Sequence, residues 1–436
     1  MEDTFHNNKI SASVFDFKIL CPYNCVMNID ELNQLKEFIF DNTELAVDLE
    51  KSLTCVPALA PENGGDGESK KCAVLEQWLK ANGIKNLEHF DAPDSRVGGG
   101  LRPNLVATIP GNLDDYNIWI CAHMDVVPAG ELSLWNTDPW QAVVKDGKIF
   151  GRGVEDNQQG LCSGVLAALS FVKQHILPEH TIKLLFMADE EVGSNYGMGW
   201  LVKNHPELFG KNDRILIPDG GDPEGKTIEI AEKNLLWLKF HTVGKQSHGS
   251  RPDQGRNAKL AACDLAMRVN ALEKKFDRRD PMFEPDRSTF QPTMQNANVS
   301  GVNIIPGDDV LCFDCRILPC YSLDEVRAEV SEIVSEIEKQ YDVKIEVSEP
   351  QSAQSPATSK DSPVAKELAS AIEAVHGIEP KFIGIGGGTV AAELRNMGID
   401  AVVWSTMDEL CHQPNEYCII DNIAKDAATI AWLAIV

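Results

Sequence analysis

Short apolar runs that alternate with helix-like segments constrain the fold of this chain more than any other feature. The runs NLVATIPG, YNIWICAH, TIKLLFMA and RILIP have the length and composition of buried strands, and residues 157–175 carry helical apolar spacing between them. Residues 30–55 and 66–82 show the same spacing before the first run. This alternation predicts an α/β fold in which helices flank a mostly parallel sheet.

The pattern changes from about Asn234 onward. A strand-like run, LLWLKFHTV, is followed by a helical segment at 257–275 and by two more strand-like runs, ANVSGVNII and DVLCFDCRIL. A helical segment at 323–341 and a strand-like VKIEVSE complete the series. This βαββαβ order is that of the ferredoxin-like split unit, an α+β arrangement.

These patterns predict two domains. Residues 30–233 and 354–436 would form the catalytic domain, and residues 234–353 would form an inserted ferredoxin-like lid. The stretch EPQSAQSPATSKDSP has the composition of the linker that returns from the lid. Residues 1–29 stay unassigned.

Charge and composition exclude several partners. The 436 residues contain 40 Lys and Arg against 66 Asp and Glu, a net charge of −26, which repels nucleic acid and anionic membrane surfaces. The longest apolar run, AATIAWLAIV, is shorter than the ~20 residues that span a bilayer. Twelve cysteines at irregular spacing do not form a disulfide framework, and MEDTFHNNKI has no signal-peptide pattern. We therefore expect a cytoplasmic protein.

Polar side chains follow three of the predicted strands. His123 and Asp125 lie in AHMDVVP, Glu190 and Glu191 end a run of three acids in MADEEVGS, and Asp219 lies in PDGG. Open α/β sheets place their sites at the carboxyl ends of strands. Mutually repelling carboxylates that emerge from a buried strand need a cation nearby, and a metal ion supplies it.

Two further motifs offer candidate ligands. GRGVEDNQQG places Glu155 and Asp156 before a helix, and ELCHQPNEY places His412 in a late loop. Each has a plain structural explanation, because acids stabilise helix N-termini and single loop histidines are usually surface residues. Together, however, the motifs deliver His, Asp, Glu, Asp and His, a nitrogen and oxygen set that suits zinc or a similar divalent ion. One shared carboxylate with two ligands on each side would hold two ions ~3.5–4 Å apart.

Eight motifs in this order resemble the dinuclear-zinc metallopeptidase family, which includes acetylornithine deacetylase, succinyl-diaminopimelate desuccinylase, aminoacylase and the cytosolic dipeptidases. They are AHMDVVP, GRGVEDNQQG, DEEVGS, PDGG, SHGSRPDQGRNA, DCRILP, GGGTVAAE and CHQPNEY. The resemblance extends from about Leu32 to the C-terminus. It implies an amide hydrolase that uses hydroxide bridging two metal ions on a small peptide or an N-acyl amino acid with a free carboxylate.

The resemblance also implies a set of ligands. His123 and Asp219 would bind one ion, Glu191 and His412 the other, and Asp156 would bridge both. Zinc is the expected metal, and cobalt or manganese would also suit these donors.

The same resemblance gives roles to the neighbours of these ligands. Glu190 would be the general base, and Asp125 would be the outer partner of His123. The family makes the peptide bond after its bridging aspartate cis, which here is the bond between Asp156 and Asn157.

In the lid, His248 matches the histidine that hydrogen-bonds the oxyanion, which in dimeric relatives comes from across the interface. The resemblance therefore implies a homodimer through the lid. Arg316 suits a bidentate contact with the substrate carboxylate. Asn257 could reach the substrate or cap its helix, and the backbone of Gly386-Gly387-Gly388-Thr389 could hold an anion.

Two alternatives and one departure stand beside this interpretation. GGDPEGKT, residues 220–227, fits the phosphate-loop pattern of a nucleotide hydrolase, although strand-like alternation follows it and Asp222 and Glu224 would repel phosphates. A catalytically silent binding protein is the other alternative. The departure is Gln158, where many members of the family carry lysine.

Overall fold

The computed structural model describes residues 29–435, so the unassigned amino-terminal segment lies outside the described residues apart from Ile29. The helices are α1 Ile29–Asp41, α2 Thr43–Thr54, α3 Ser69–Asn82, α4 Gly160–Gln174, α5 Met198–Asn204, α6 Ala258–Asn270, α7 Leu323–Tyr341, α8 Pro363–His376, α9 Ala391–Asn396 and α10 Ile420–Leu433. The strands are β1 Leu87–His89, β2 Ala92–Pro93, β3 Leu101–Arg102, β4 Leu105–Ile109, β5 Leu113–His123, β6 Val143–Lys145, β7 Lys148–Phe150, β8 His180–Met187, β9 Arg214–Asp222, β10 Thr227–Glu232, β11 Asn234–Val243, β12 Ser247–His248, β13 Thr289–Ala297, β14 Ile304–Ile305, β15 Asp308–Ile317, β16 Lys344–Ala353, β17 Lys381–Ile385, β18 Ala401–Thr406 and β19 Tyr417–Ile419.

A large sheet forms the centre of the molecule, with strand order β1-β4-β8-β5-β9-β18-β10-β17. Strand β5 pairs in parallel with β8 and β9, β18 with β9, and β10 with β17. The remaining neighbours, β1 with β4, β4 with β8 and β10 with β18, are antiparallel. The predicted mostly parallel α/β sheet is therefore confirmed.

Apolar clusters cover both faces of this sheet. Along β5, Ile118 and Ile120 join the cluster that contains α4 and α10, whereas Trp119 and Cys121 join the cluster that contains α5 and α9. This alternation is what a strand covered by helices on both faces requires. Among residues 29–435, no helix combines the length and apolar character needed to cross a bilayer.

A second, four-stranded sheet has the order β13-β15-β11-β16, and helices α6 and α7 pack on one face of it. The central pair, β11 and β15, is antiparallel along its whole length. On β11, Leu236 and Phe240 are buried towards the helices, while Trp237 is exposed on the open face. The βαββαβ order predicted for this segment agrees with the structure.

One predicted strand of this sheet was misplaced. The run ANVSGVNII, residues 297–305, was expected to pair as a strand, but the structure puts the strand at β13 and leaves most of the run as a loop. Ala297 pairs with Asp309 as the last residue of β13, and Ile304 and Ile305 pair with β12. Val302 is fully exposed, so the apolar residues of this run do not mark a buried strand, whereas Phe290 of β13 is fully buried.

A buried ion-pair network lies beneath the carboxyl ends of the strands. Arg102 is fully buried and donates hydrogen bonds to both carboxylate oxygens of Glu68, from Nε at 2.6 Å and from Nη2 at 2.5 Å. Its guanidinium also lies 3.1 Å from Asp189 and 3.5 Å from Asp94. Arg102 therefore fixes the residue that immediately precedes Glu190.

Replacing Arg102 with Met should lower the free energy of unfolding by about 3–5 kcal/mol, because it leaves buried carboxylates without their cation. Arg96→Met is the matched control, since Arg96 also pairs with Asp94 but its side chain is 39% exposed. The control should lose no more than about 1 kcal/mol. Urea unfolding measures both, and equal losses would contradict a special role for the buried arginine.

Candidate metal centre

Strand register brings the first candidate ligands to one edge of the large sheet. His123, the last residue of β5, pairs with Met187, the last residue of β8. On the other side Ile120 pairs with Leu216 of β9, so Asp219, three residues further along, lies level with His123. The carboxyl ends of parallel strands therefore put these side chains next to one another, as open α/β sheets do.

The segment that carries Asp156 reaches this edge because of two glycines. Gly153 has φ 84°, and a Cβ there would lie 2.4 Å from Val126, so only glycine permits the close approach. A Cβ on Gly160 would lie 2.3 Å from the carbonyl oxygen of Pro218, which places the start of α4 against β9. The Asp156–Asn157 peptide is cis, as the resemblance implied.

The five predicted ligands converge. His123 Nε2 lies 2.9 Å from Asp156 Oδ1 and 3.6 Å from Asp219 Oδ1. His412 Nε2 lies 3.2 Å from Asp156 Oδ2 and 3.0 Å from Glu191 Oε2. Each oxygen of Asp156 thus faces a different histidine.

Glu190 belongs to the same cluster. One potential ligand atom from each of His123, Glu190 and Asp219 lies within 4.8 Å of the other two. The same holds for His123, Asp156 and Glu191. The residue predicted as general base is therefore adjacent to the predicted ligands.

Asp125 contacts both sides of the site. His123 Nδ1 donates to the backbone carbonyl of Asp125 at 3.0 Å, while the Asp125 carboxylate is 3.5 Å away. That carboxylate accepts the backbone N–H groups of Glu190 and Glu191, each at 3.1 Å. Asp125 therefore turns Nε2 of His123 towards the cluster and also holds the backbone that carries the two glutamates.

Asn157 is a residue that the sequence analysis missed. Its Oδ1 accepts the backbone N–H of His123 at 3.3 Å, and its Nδ2 donates to the Pro218 carbonyl at 2.6 Å and to Asp219 Oδ1 at 2.7 Å. It links the ends of β5 and β9 and orients Asp219. Its position beside Asp156, with a side chain that both donates and accepts, was the available signal.

The acids of the cluster are short of positive charge. Burial raises the pKa of Glu190 well above its usual range, and the nearby charge of Asp219 raises it further. Burial also raises the pKa values of Glu191 and Asp219. Glu191 Oε1 is buried without a hydrogen-bond partner among the described residues. Buried carboxylate and imidazole ligands with too little positive charge nearby suit divalent metal ions.

Asp156 behaves differently from the other acids. Although burial opposes ionisation, hydrogen bonds from His123 and His412 hold the pKa of Asp156 below its usual range. Hydrogen bonds with Asp156 and Glu191 in turn raise the pKa of His412 to about 10. Asp156 is thus the carboxylate that both histidines share.

Arg316 of the second sheet reaches the glycine loop of the large one. Its Nη1 donates to the carbonyl of Gly386 at 2.8 Å, and its Nε and Nη2 donate to Asp314 at 2.7 and 3.1 Å. In that loop Gly387 and Gly388 are exposed, while Thr389 donates to Glu232 at 2.6 Å. The structure therefore brings Arg316 and the glycine loop together.

His248 and Asn257 make contacts within their own loops. His248 is exposed and its Nδ1 lies 2.8 Å from the hydroxyl of Ser250. Asn257 caps α6, where its Oδ1 accepts the N–H of Leu260 at 3.0 Å. The capping explanation for Asn257 is thus observed, and contacts of either residue with substrate stay predictions.

Gln158 stands where many relatives have lysine, and it is part of a buried network. Its Oε1 accepts from Lys71 Nζ at 3.1 Å, and its Nε2 donates to Glu50 at 2.8 Å and Thr54 at 2.9 Å. Lys71 is fully buried, so a lysine side chain still enters this region from another element.

The phosphate-loop alternative is wrong. The Asp222 carboxylate accepts the backbone N–H groups of Glu224, Lys226 and Thr227 at 2.8, 3.1 and 2.6 Å. These are groups that a bound phosphate would need, and the acid occupies them. The element that follows the loop is strand β10 and not the helix that a phosphate loop requires.

Comparison with known proteins decides the family. The model of peptidase family M20/M25/M40 matches residues 119–435. The chain belongs to this family. It is therefore a metal-dependent hydrolase of amide or peptide bonds, as predicted.

Relatives of this M20 chain share most of its length. An uncharacterised metallohydrolase of Methanococcus maripaludis is 41% identical over 411 residues, which cover 89% of this chain and 97% of that protein. A succinyl-diaminopimelate desuccinylase of Rickettsia bellii is 25% identical over 381 residues, 86% of this chain and 92% of the relative.

Solved structures share the fold. An aminopeptidase from Bacillus cereus superposes with a TM-score of 0.74 at 21% identity, covering 90% of this chain and 98% of that one. Human carnosine dipeptidase 1 superposes with a TM-score of 0.68 at 16% identity, covering 93% of this chain and 99% of that one. The architecture of large sheet and lid is therefore that of the M20 fold.

Adding a divalent ion should stabilise this protein, because the ligands converge only in the folded chain. At a free zinc or cobalt concentration 100 times the dissociation constant, the free energy of unfolding should rise by about 2.7 kcal/mol. Thermal unfolding of chelator-treated and metal-loaded protein measures the change. Asp156→Asn should lose most of this gain, whereas Asp361→Asn, an exposed acid paired with Lys366, should keep it. An equal gain in both variants would contradict the site.

Proposed function

We propose that this chain hydrolyses the amide bond of dipeptides or N-acyl amino acids that carry a free carboxylate, using two divalent ions. The observation that carries the proposal is the position of Asp156, whose two oxygens face His123 at 2.9 Å and His412 at 3.2 Å. A carboxylate that presents one oxygen to each side is the donor that a pair of ions requires.

The ligand assignment follows the contacts. His123 and Asp219 would hold one ion, and Glu191 and His412 the other, with Asp156 shared. Zinc, cobalt and manganese all accept such donors, and zinc is our choice. Bound there, the ions would lower the pKa of a coordinated water towards ~7 and polarise the substrate carbonyl.

Glu190 acts as the general base. Its carboxylate takes a proton from the attacking water as the C–O bond forms, and then gives that proton to the amine nitrogen as the C–N bond breaks. The backbone that carries it is fixed by Asp125 through the N–H of Glu190 itself. A fixed base next to the attacking water supplies the proximity that this step needs.

The substrate carboxylate is bound between the two sheets. Arg316 is positioned against the glycine loop by the Gly386 carbonyl, and the exposed backbone of Gly387 and Gly388 lies beside it. A guanidinium together with free N–H groups recognises a carboxylate. Asn257 could reach the substrate from α6. The names of the relatives, a desuccinylase and a dipeptidase, support substrates of both kinds.

Glu190→Gln should lower kcat by about 10²–10⁴-fold while metal content stays at the wild-type level. The assay compares dipeptides with acetyl- and succinyl-amino acids, with added zinc or cobalt and a chelator control. Glu207→Gln, at an exposed acid near the opposite ends of the strands, is the control and should keep full activity. Turnover retained by Glu190→Gln would remove Glu190 from the base role.

We further propose that the lid forms a homodimer, through α6 and β13. Strand β13 lies at the edge of its sheet, and Leu260 and Met267 of α6 are 54% and 71% exposed. Met294 of β13 is 50% exposed. Exposed apolar side chains beside an open strand edge suit a symmetric pairing with a second copy, which would also supply His248 to the site.

Met267→Glu should raise the dimer dissociation constant at least about tenfold, because it places a charge in the proposed interface. Leu177→Glu is the control, since Leu177 is 60% exposed but lies outside the lid. Light scattering across a concentration series measures the mass. A monomeric wild-type protein, or a Met267→Glu protein that dimerises normally, would contradict the interface.

The state of the cysteines supports the cytoplasm as the location. All ten cysteines of residues 29–435 are unpaired, and five of them are buried. Unpaired thiols are the usual state in a reducing compartment.

A further inference from the structure

The loop that carries His412 has little regular structure of its own. It joins β18 to β19 through residues 407–416, and Glu409, His412 and Asn415 all have positive φ, between 57° and 65°. His412 is also half exposed. A ligand on such a loop needs contacts from elsewhere to hold it in place.

Glu155 supplies those contacts on the side that precedes His412. Its Oε1 accepts the backbone N–H of Asp408 at 2.7 Å, and its Oε2 accepts the N–H of Leu410. The residue is only 3% exposed. A buried carboxylate that uses both oxygens on one loop fixes that loop at two points.

Glu416, at the other end of the loop, contacts the backbone of the segment that carries Glu155. Its Oε1 accepts the N–H groups of Glu155 and Asp156 at 3.0 and 3.2 Å. Its Oε2 accepts from Arg152 Nη1 at 2.6 Å. The two glutamates therefore interlock the segment of the shared carboxylate with the loop of the distant histidine.

We propose that Glu155 is a positioning residue that places His412, and so sets the affinity for the ion held by Glu191 and His412. This rests on the proposed two-ion function. Glu155 contacts neither substrate nor ion in this role. It acts through the loop.

The ordinary explanation of Glu155, an acid that stabilises the N-terminus of α4, does not account for its contacts. Helix α4 begins at Gly160, and the Glu155 oxygens bond to the loop at 408–410. A glutamine would have nearly the same shape, but its NH₂ group would face a backbone N–H, and an NH₂ group cannot accept a hydrogen bond. Glu155→Gln therefore removes one of the two anchors with little change of volume.

The experiment titrates the metal-free protein with cobalt, following heat and the visible absorption of the bound ion. Wild type should bind two ions. Glu155→Gln should bind one ion with wild-type affinity and the second about 10–100-fold more weakly, the usual cost of losing a group that orients a ligand. His412→Ala provides the reference trace for loss of the same site.

Asp213→Asn is the matched control. Asp213 is a buried carboxylate that accepts backbone N–H groups of Asn117 and Gly210 at 2.8 and 2.9 Å, at the other end of the large sheet. The same acid-to-amide change there should lower the melting temperature and leave both cobalt affinities unchanged. Selective loss of one ion in Glu155→Gln alone separates positioning from general destabilisation.

Two outcomes would overturn the inference. One is a Glu155→Gln protein that binds both ions as tightly as wild type. The other is a second-ion loss of equal size in Asp213→Asn. A wild-type protein that binds fewer than two ions would overturn the proposed function itself, so the two failures are distinguishable.

Hydrogen exchange in the wild-type protein tests the inference even if the Glu155→Gln variant does not fold. In wild-type, metal-free protein the amides of Asp408 and Leu410 should exchange more slowly than that of Glu409 between them. Equal exchange at the three amides would overturn the inference, because it would show that the Glu155 anchors do not hold in solution.

Discussion

Repulsion among carboxylates gathered at one edge of the large sheet is the constraint on which the rest of this structure depends. Asp156, Glu190, Glu191 and Asp219 meet there with two imidazoles, and burial disfavours the charge on most of them. A folded chain tolerates such a set when cations compensate it. Divalent metal ions supply this compensating charge, and the M20 family to which the chain belongs uses them.

The protein holds this repelling set in place largely with backbone N–H groups. The Asp125 carboxylate accepts two from the segment of Glu190 and Glu191. Glu155 and Glu416 accept further ones around the His412 loop. Backbone donors carry no net charge, so they orient acidic residues without forming the ion pairs that would compete with a metal. Two arginines are exceptions: Arg102 pairs with Asp189, one residue before the cluster, and Arg152 pairs with Glu416.

Particular residues show how far the sequence could be read. The strand ends in AHMDVVP and PDGG predicted that His123 and Asp219 would lie at the same edge, because the carboxyl ends of parallel strands share one edge of a sheet. The strand assigned to ANVSGVNII failed, since apolar alternation does not reveal whether a run is covered by the rest of the fold. Asn157 was missed because its position beside Asp156 does not reveal that its amide bridges the ends of two strands. The sequence around Glu155 suggested an acid that stabilises a helix N-terminus. In the structure its carboxylate oxygens instead accept hydrogen bonds from a loop about 250 residues away.

The sequence by itself determined the family, the alternating architecture and the identity of the five metal-binding candidates, because strand periodicity and motif order are local properties of the chain. Tertiary structure alone decided which oxygen of Asp156 faces which histidine, and that Glu155 holds the loop of His412. These contacts join residues far apart in the chain. Their geometry depends on how sheet, loop and lid pack together, which no local pattern encodes.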